Sequence, residues 1–149
     1  MFYFVSFVNL NIKPRCQEFA KQGCKVYATA RRPESMDALT NPNIEKLVLD
    51  VTSDQDVQRV LGQIMEKEQK IDVVVNNAGL SIIGEWNLSL CYVLILQKGP
   101  VTDLSLDDFK LVFDTNLFSV IRVCKAVIPM MAQRKSGVII NVGSLMGEM

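Results

Sequence analysis

The sequence predicts an α/β fold built on a doubly wound parallel sheet. Two observations support this prediction: apolar segments with strand signatures alternate with helical patterns, and polar turn residues follow the strands. The strand signatures lie at 24–30, 44–51, 71–77 and 137–143, and the helical patterns at 14–22, 53–70 and 105–133. Strands that alternate with helices pair in parallel through right-handed crossovers. The length of 149 residues indicates a single domain, 1–149.

Each predicted helix has its own start or stop signals. The first has Pro14 near its beginning and Gly23 just past its end, the usual asymmetry of helix termini. The second begins with Ser53 and Asp56 in a capping-box-like arrangement, and the third with the similar pair Ser105-x-x-Asp108. Both then carry apolar residues at helical spacing, which predicts that they pack against the sheet.

The composition excludes several kinds of function. Sixteen basic and sixteen acidic residues balance, which argues against binding a phosphate backbone, so we predict no nucleic-acid partner. The four cysteines are scattered, which is typical of a reducing compartment. There is no histidine, which excludes a His-ligated metal, a Ser-His triad and a His general base, and we predict no metal site. We also predict no signal peptide and no transmembrane span.

The turn Asn76-Asn77-Ala78-Gly79 follows the strand at 71–77. Ligands of open parallel sheets bind beyond the carboxyl ends of the strands. The two amides can join neighbouring strands, and the small residues let a flat ligand approach the backbone. The alternative is an ordinary turn.

Two further strands are followed by residues suited to a dinucleotide. Arg31 and Arg32 follow the strand at 24–30, where arginine meets the 2′-phosphate of NADP through its fork of donors. Asp50 and Val51 close the strand at 44–51, where a carboxylate can accept a hydrogen bond from adenine and the backbone of Val51 is also available. The alternatives are a solvated basic pair and a cap or turn aspartate.

Four motifs in this order resemble the short-chain dehydrogenase/reductase family. They are LDVT at 49–52, NNAG at 76–79, DTNL at 114–117 and NVGS at 141–144. The resemblance covers 17–84 and 100–147, and the 28 positions from Asn116 to Ser144 match the family's spacing. The phrase GCKVYATARR at 23–32 is most similar to the branch that includes NADPH-dependent 1-acyldihydroxyacetone-phosphate reductases and 17β-hydroxysteroid dehydrogenase-like enzymes.

The resemblance implies a partial Rossmann-type fold, NADP(H) as cofactor and a role for each matching residue. Ser144 would hydrogen-bond the substrate carbonyl or hydroxyl, and Asn116, interrupting its helix, would hold a water of a proton relay. The cofactor would be bound by the residues at the three strand ends, Arg31, Arg32, Asp50, Val51, Asn77, Ala78 and Gly79. The alternatives are an ordinary turn hydroxyl for Ser144 and a locally bonded helix amide for Asn116.

Three departures from the family pattern bear on activity. No glycine precedes Gly23, so the glycine-rich turn after the first strand is missing, and we expect 1–8 to serve as a substitute central strand with 9–13 leading into a shortened helix. The family's Tyr-x-x-x-Lys and the C-terminal strands are absent, so its general acid is missing. Residues 85–99 are interpreted as an insertion: a substrate lid, a lipid-contacting patch or, the interpretation that we favour, translated intron or misannotated exon sequence.

By this resemblance the chain is expected to derive from an NADP(H)-dependent oxidoreductase that reduces a carbonyl on a small, lipid-like substrate. We favour 1-acyldihydroxyacetone phosphate, with a steroid or retinoid alcohol as the alternative, and expect this chain to be catalytically incomplete. A different hypothesis is a truncated, non-catalytic product that pairs with a full-length paralogue through helix 105–133; the same helix could form a homodimer. We expect the cytoplasm, with peripheral contact at the endoplasmic reticulum or lipid-droplet surface as an alternative.

Overall fold

The computed structural model describes residues 2–7, 13–78, 82–83, 96–97 and 105–143. Its strands are β1 (Phe2–Phe7), β2 (Lys25–Ala30), β3 (Ile44–Val48), β4 (Val73–Asn77), β5 (Ile82–Ile83), β6 (Leu96–Gln97) and β7 (Val138–Asn141). Five of them form a parallel sheet in the order β3-β2-β1-β4-β7, and β5 and β6 form a separate parallel pair. The predicted Rossmann-type α/β fold is confirmed.

β1 occupies the centre of the sheet. It pairs in parallel with β2 on one side and with β4 on the other, with Tyr3 opposite both Val26 and Val73. The expectation of a substitute central strand near the start of the chain is therefore confirmed. The order of the strands reverses between β1 and β4, which makes their carboxyl ends the topological switch point where such sheets bind ligands.

The helices are α1 (Lys13–Lys21), α2 (Asp54–Glu68), α3 (Leu106–Phe113) and α4 (Ser119–Gln133), with a short 3₁₀ helix at Pro33–Met36. The prediction of a single helix at 105–133 is wrong in one respect, because a π-helical segment at Asp114–Phe118 separates α3 from α4. This interruption contains Asn116, where the family resemblance implied one. The predicted strand at 44–51 also ends earlier, at Val48, because a turn begins at Asp50.

The end of α1 shows why its sequence signal was reliable. The Gly23 N–H donates to the Ala20 carbonyl and the Cys24 N–H donates to the Phe19 carbonyl, both at 3.1 Å. These two bonds form a Schellman motif, which requires a left-handed residue at Gly23, and its φ is +82°. The chain can then turn directly into β2.

The core lies on both faces of the sheet, as a doubly wound fold requires. One cluster packs α1 against alternate residues of β2 and β4, including Cys16, Ala28 and Val75. The other packs α2 and α4 against the remaining residues, including Tyr27 and Val74. Successive side chains of β2 and β4 enter opposite clusters, and because both faces of the sheet are covered, apolar residues follow one another directly along these strands.

The part of the chain described above contains no group of acidic, cysteine or histidine residues able to hold a metal ion. Every helix within the same ranges falls short of the length and apolarity of a membrane span. Gly79, Ser144 and most of the predicted insertion at 85–99 lie outside the described residues.

Candidate functional site

The sheet register brings the predicted strand-end residues to one edge. A row of partners crosses the whole sheet through Leu47, Thr29, Ser6, Asn76 and Asn141. The predicted site residues follow this row by one to three positions, since Arg31 comes two residues after Thr29, Asp50 three after Leu47 and Asn77 one after Asn76. Parallel strands place these successors at a common carboxyl edge.

Arg31 and Arg32 are exposed directly after β2. Their backbone is fixed because the Arg32 carbonyl accepts hydrogen bonds from the Ser35 hydroxyl at 2.6 Å and the Ser35 N–H at 3.1 Å. Neither guanidinium has an ion pair or a hydrogen bond with any residue that the structure describes. Both forks of donors are therefore available to an anionic group at this edge.

Asp50 forms a tight turn before α2. Its Oδ1 accepts the Thr52 N–H at 2.9 Å and the Thr52 hydroxyl at 2.7 Å. The alternative of a turn aspartate is thus realised through Oδ1, which accepts both bonds. Val51 is buried, so it presents its backbone rather than its side chain. The turn orders the two residues that were predicted to meet adenine.

Asp56 holds this turn in place. The capping-box-like pattern predicts that its carboxylate accepts the Ser53 N–H, and the structure differs on this point. Ser53 caps α2 by accepting the Asp56 N–H at 3.2 Å, as the capping pattern predicts. The Asp56 carboxylate accepts the Asp50 N–H at 3.0 Å instead of returning to Ser53, and its other oxygen accepts from Arg59. The Asp50 N–H, followed by Arg59, holds the pKa of Asp56 below its ordinary value of 3.8.

We expect the Asp56 contribution to stability to be lost in acid. Because the folded pKa lies below the unfolded one, the stabilisation is present above about pH 4 and disappears as the pH falls through the folded pKa. Urea unfolding of the chain and of Asp56→Asn should show a difference in free energy at pH 6 that shrinks by pH 3. A difference independent of pH would contradict this role of the Asp56 charge.

The two amides of the NNAG motif have different environments. Asn76 is buried, and its Nδ2 donates to Asn141 Oδ1 at 2.9 Å, which joins β4 to β7. The Val142 N–H also donates to the Asn76 carbonyl at 2.8 Å. Asn77 and Ala78 are half-buried at the end of β4, next to β1. A strand-joining amide was predicted here, and Asn76 provides it.

Asn116 lies exposed in the π-helical segment, between buried Thr115 and exposed Leu117. Single-turn π segments are rare in proteins, and those that do occur often lie at functional sites. Arg122 braces this segment by binding the Asp114 carboxylate, with Nη2 and Oδ1 separated by 2.5 Å. Arg122 was missed by the sequence reasoning, which considers helical ion pairs at spacings of three or four, whereas this one spans eight.

The edge fits the adenosine half of a phosphorylated dinucleotide. Arg31 and Arg32 offer donors that no described residue binds, Asp50 and Val51 form an ordered turn, and Asn77 with Ala78 lies at the switch point. The segment that would approach the pyrophosphate falls at 8–12, outside the described residues.

Comparisons with known proteins agree with this geometry. Residues 13–149 match the family described as short chain dehydrogenase. The chain is 32% identical over 137 residues to a 3-ketodihydrosphingosine reductase of Bacteroides thetaiotaomicron, covering 92% of this chain and 44% of the relative. It is 33% identical over 135 residues to an NADP-dependent 3-hydroxy acid dehydrogenase of Shigella flexneri, covering 89% and 49%. The chain thus spans about half the length of the curated relatives it matches.

Solved structures show the same relationship. The serine dehydrogenase of Escherichia coli superposes with a TM-score of 0.79 at 28% identity, covering 100% of this chain and 64% of that one. The closed form of serine dehydrogenase, complexed with NADP+, gives a TM-score of 0.77 at 30% identity, covering 100% and 56%. The fold, the strand-end residues and the family match together show that this chain belongs to the short-chain dehydrogenase/reductase family of oxidoreductases.

Proposed function

We propose that the chain is the nucleotide-binding part of an NADP(H)-dependent oxidoreductase that reduces a carbonyl on a lipid-like substrate. The observation that carries the proposal is the carboxyl edge of β2, β3 and β4, where two exposed arginines, an ordered aspartate turn and an asparagine follow the strands. NADP-dependent relatives and an NADP-bound neighbour support the choice of cofactor.

Each part of the edge has a role in holding NADP(H). Arg31 and Arg32 bind the 2′-phosphate, because guanidinium groups form charge-assisted hydrogen bonds with phosphate oxygens. Asp50 and the backbone of Val51 bind adenine, and Asn77, Ala78 and Gly79 line the ribose. Asn76 keeps β4 and β7 at a fixed separation through its bond to Asn141.

When bound, the nicotinamide supplies the hydride that a carbonyl accepts. Ser144 donates a hydrogen bond to the substrate oxygen, which polarises the carbonyl. Asn116 holds a water that serves a proton relay. The 149 residues contain no Tyr-x-x-x-Lys, so the family's proton donor is not among them. General acid catalysis is worth a factor of roughly 10² to 10⁴, so we expect this chain to bind cofactor with little or no turnover.

The substrate class is the finer part of the proposal. The relative named 3-ketodihydrosphingosine reductase acts, by its name, on a keto group of a sphingoid base, which supports a lipid-like ketone. The phrase at 23–32 favours 1-acyldihydroxyacetone phosphate, and a steroid or retinoid is the alternative. A lipid substrate agrees with peripheral contact at the endoplasmic reticulum or lipid-droplet surface, while the cytoplasm remains our first proposal for the location.

A second candidate function is a non-catalytic partner of a full-length paralogue. It is favoured by large apolar residues that α3, the π-helical segment and α4 expose. These residues are Leu111, Phe113, Leu117, Phe118, Ile121 and Ile128. Exposed apolar patches frequently mark protein interfaces, so this surface suits pairing through helix 105–133. Such pairing could also join two copies of this chain.

One set of measurements tests both candidates. NADPH and NADH binding to the purified chain is measured by titration calorimetry, and NADPH consumption is followed with acyl-dihydroxyacetone phosphate, a sphingoid ketone and a steroid ketone. Binding of NADPH supports the proposed cofactor site, and its absence would reject it. A paralogue whose activity changes on addition of the chain supports the partner function, whereas unchanged activity and no co-elution would reject that candidate.

A further inference from the structure

The π-helical segment at Asp114–Phe118 is less favourable than a continuous α-helix and must be stabilised by other contacts. Its defining hydrogen bond runs from the Ser119 N–H to the Asp114 carbonyl, five residues back rather than four. The Thr115 hydroxyl is buried without a hydrogen-bond partner among the described residues, which is an unfavourable arrangement. Because α-helical hydrogen bonds are the default register, something outside the segment has to stabilise the wider turn.

Arg122 makes contacts that stabilise this register. Its Nη2 lies 2.5 Å from the Asp114 carboxylate Oδ1, and its Nη1 donates to the Asp114 carbonyl at 3.4 Å. The same carbonyl accepts the π-helical bond from Ser119. A single guanidinium therefore binds both the backbone and the side chain of the first residue in the segment.

Arg122 also connects the segment to α2. Its Nε lies 2.9 Å from Oδ1 of Asp54, the first residue of that helix, which follows the turn of Asp50. The Arg122 side chain is 22% exposed and that of Asp114 34%, whereas Asp54 is 85% exposed. Ion pairs of exposed groups are worth little, so the bond to Asp114 is the stronger part of the bridge.

We propose that Arg122 is a positioning residue, which holds the π-helical register at Asp114 and thereby fixes the direction in which Asn116 projects from its helix. The role assigned to Asn116 rests on the proposed function. In an α-helical register the hydrogen bond of this turn would span four residues instead of five. The residues before the segment, including α3, would then be rotated by about 100°, the angle of one residue, about the helix axis relative to α4. Asn116 would then project to a different side.

Charge alone does not account for the arrangement. A lysine at position 122 could pair with the Asp114 carboxylate as a point charge, but it has no planar fork with which to reach the carboxylate and the carbonyl of Asp114 together. The guanidinium is therefore the feature that selects the register, and Arg122→Lys separates the charge from the fork.

The experiment compares Arg122→Met, Arg122→Lys and Asp54→Asn with the unmodified chain by NMR. A scalar coupling transmitted through the hydrogen bond from Ser119 N to the Asp114 carbonyl carbon reports the π register directly. We expect this coupling to be lost in Arg122→Met, replaced by coupling to Thr115, and partly restored in Arg122→Lys. The side-chain amide signal of Asn116 should move in Arg122→Met and move only part of the way back in Arg122→Lys.

The controls separate positioning from general stability. Asp54→Asn removes the exposed end of the bridge and should leave the coupling and the Asn116 signal unchanged. Thr115→Val replaces the hydroxyl that no described residue binds and should also keep the π register. Retention of the Ser119–Asp114 coupling in Arg122→Met, with the Asn116 signal in place, would overturn the inference. If Arg122→Met did not fold, full retention of both signals in Arg122→Lys would overturn the requirement for the guanidinium fork.

The outcome does not depend on cofactor binding. NADPH affinity is measured on the same samples, and we expect Arg122→Met to keep it within about twofold, because Arg31 and Arg32 are untouched. A chain that binds no NADPH would reject the proposed function, and the coupling would still decide the role of Arg122. Unchanged coupling with intact binding would reject only the role of Arg122.

Discussion

Replacing both arginines after β2, as Arg31→Ala with Arg32→Ala, is expected to lower the affinity of the chain for NADPH by about 10- to 100-fold. Hydrogen bonds to charged groups contribute about 1.5–3 kcal/mol, and 1.4 kcal/mol corresponds to a tenfold change in affinity. The affinity for NADH should stay the same, because it lacks the 2′-phosphate that the guanidinium groups bind. Titration calorimetry with both nucleotides measures the change in preference.

The matched control for this pair is Lys125→Ala. Lys125 is an exposed cation within α4 and is not one of the strand-end residues, so its loss changes the net charge without removing a group of the proposed site. We expect NADPH affinity to stay within about twofold in this variant. Equal losses of NADPH and NADH affinity in the double variant would contradict the assignment of the arginines to the 2′-phosphate, as would NADPH affinity unaffected by their removal.

Gly137→Ala is expected to lower the free energy of unfolding by about 2–4 kcal/mol, because it combines a strained backbone with overpacking. Gly137 has a φ of +157°, and a Cβ there would lie 2.4 Å from both Cγ and Sδ of buried Met131. It would also lie 2.9 Å from the Met131 Cβ, which cannot move without moving α4. Urea unfolding followed by circular dichroism measures the loss.

The same substitution has the opposite expected sign at Gly62. This residue lies inside α2 with open space around the position of a Cβ. Alanine is a better helix former than glycine, so Gly62→Ala should raise the free energy of unfolding by about 0.5–1 kcal/mol. If Gly137→Ala were as stable as the unmodified chain, the contact with Met131 would not limit the position of β7.

Much of the fold was predictable because local signals agreed with the tertiary structure. β2, β4 and β7 fall within the predicted strands, and the Pro14 and Gly23 signals place α1 to within a residue or two. The short segment at the start could be assigned as a substitute central strand because it is apolar and aromatic. β3 ends early because Asp50 bonds Thr52 instead of continuing the ladder.

The helix at 105–133 shows what a sequence pattern cannot supply. Its apolar positions at Phe113, Leu117 and Ile121 have helical spacing, yet the structure exposes them and buries Thr115 and Ser119. The buried side is set by the π-helical segment, which shifts the faces before and after it relative to one another. Periodicity assumes one constant angle per residue, so it cannot locate such a shift.

For the site, strand order was sufficient to bring Arg31, Asp50 and Asn77 to one edge. The residues that hold them in place were harder to find. Asp56 binds the Asp50 N–H across the turn, and Arg122 reaches Asp114 over eight positions. Both contacts depend on backbone geometry that only the folded chain defines. The roles of Asn116 and Ser144 stay predictions.

The central position of β1 has a consequence for synthesis on the ribosome. Tyr3 pairs with Val73, so the two strands that flank the switch point are translated far apart. At about 5–20 residues per second, the 66 residues from 8 to 73 take roughly 3–13 s to add. During that interval β1 can pair with β2 alone, and its other edge stays open to chaperones or to nascent neighbours until β4 emerges.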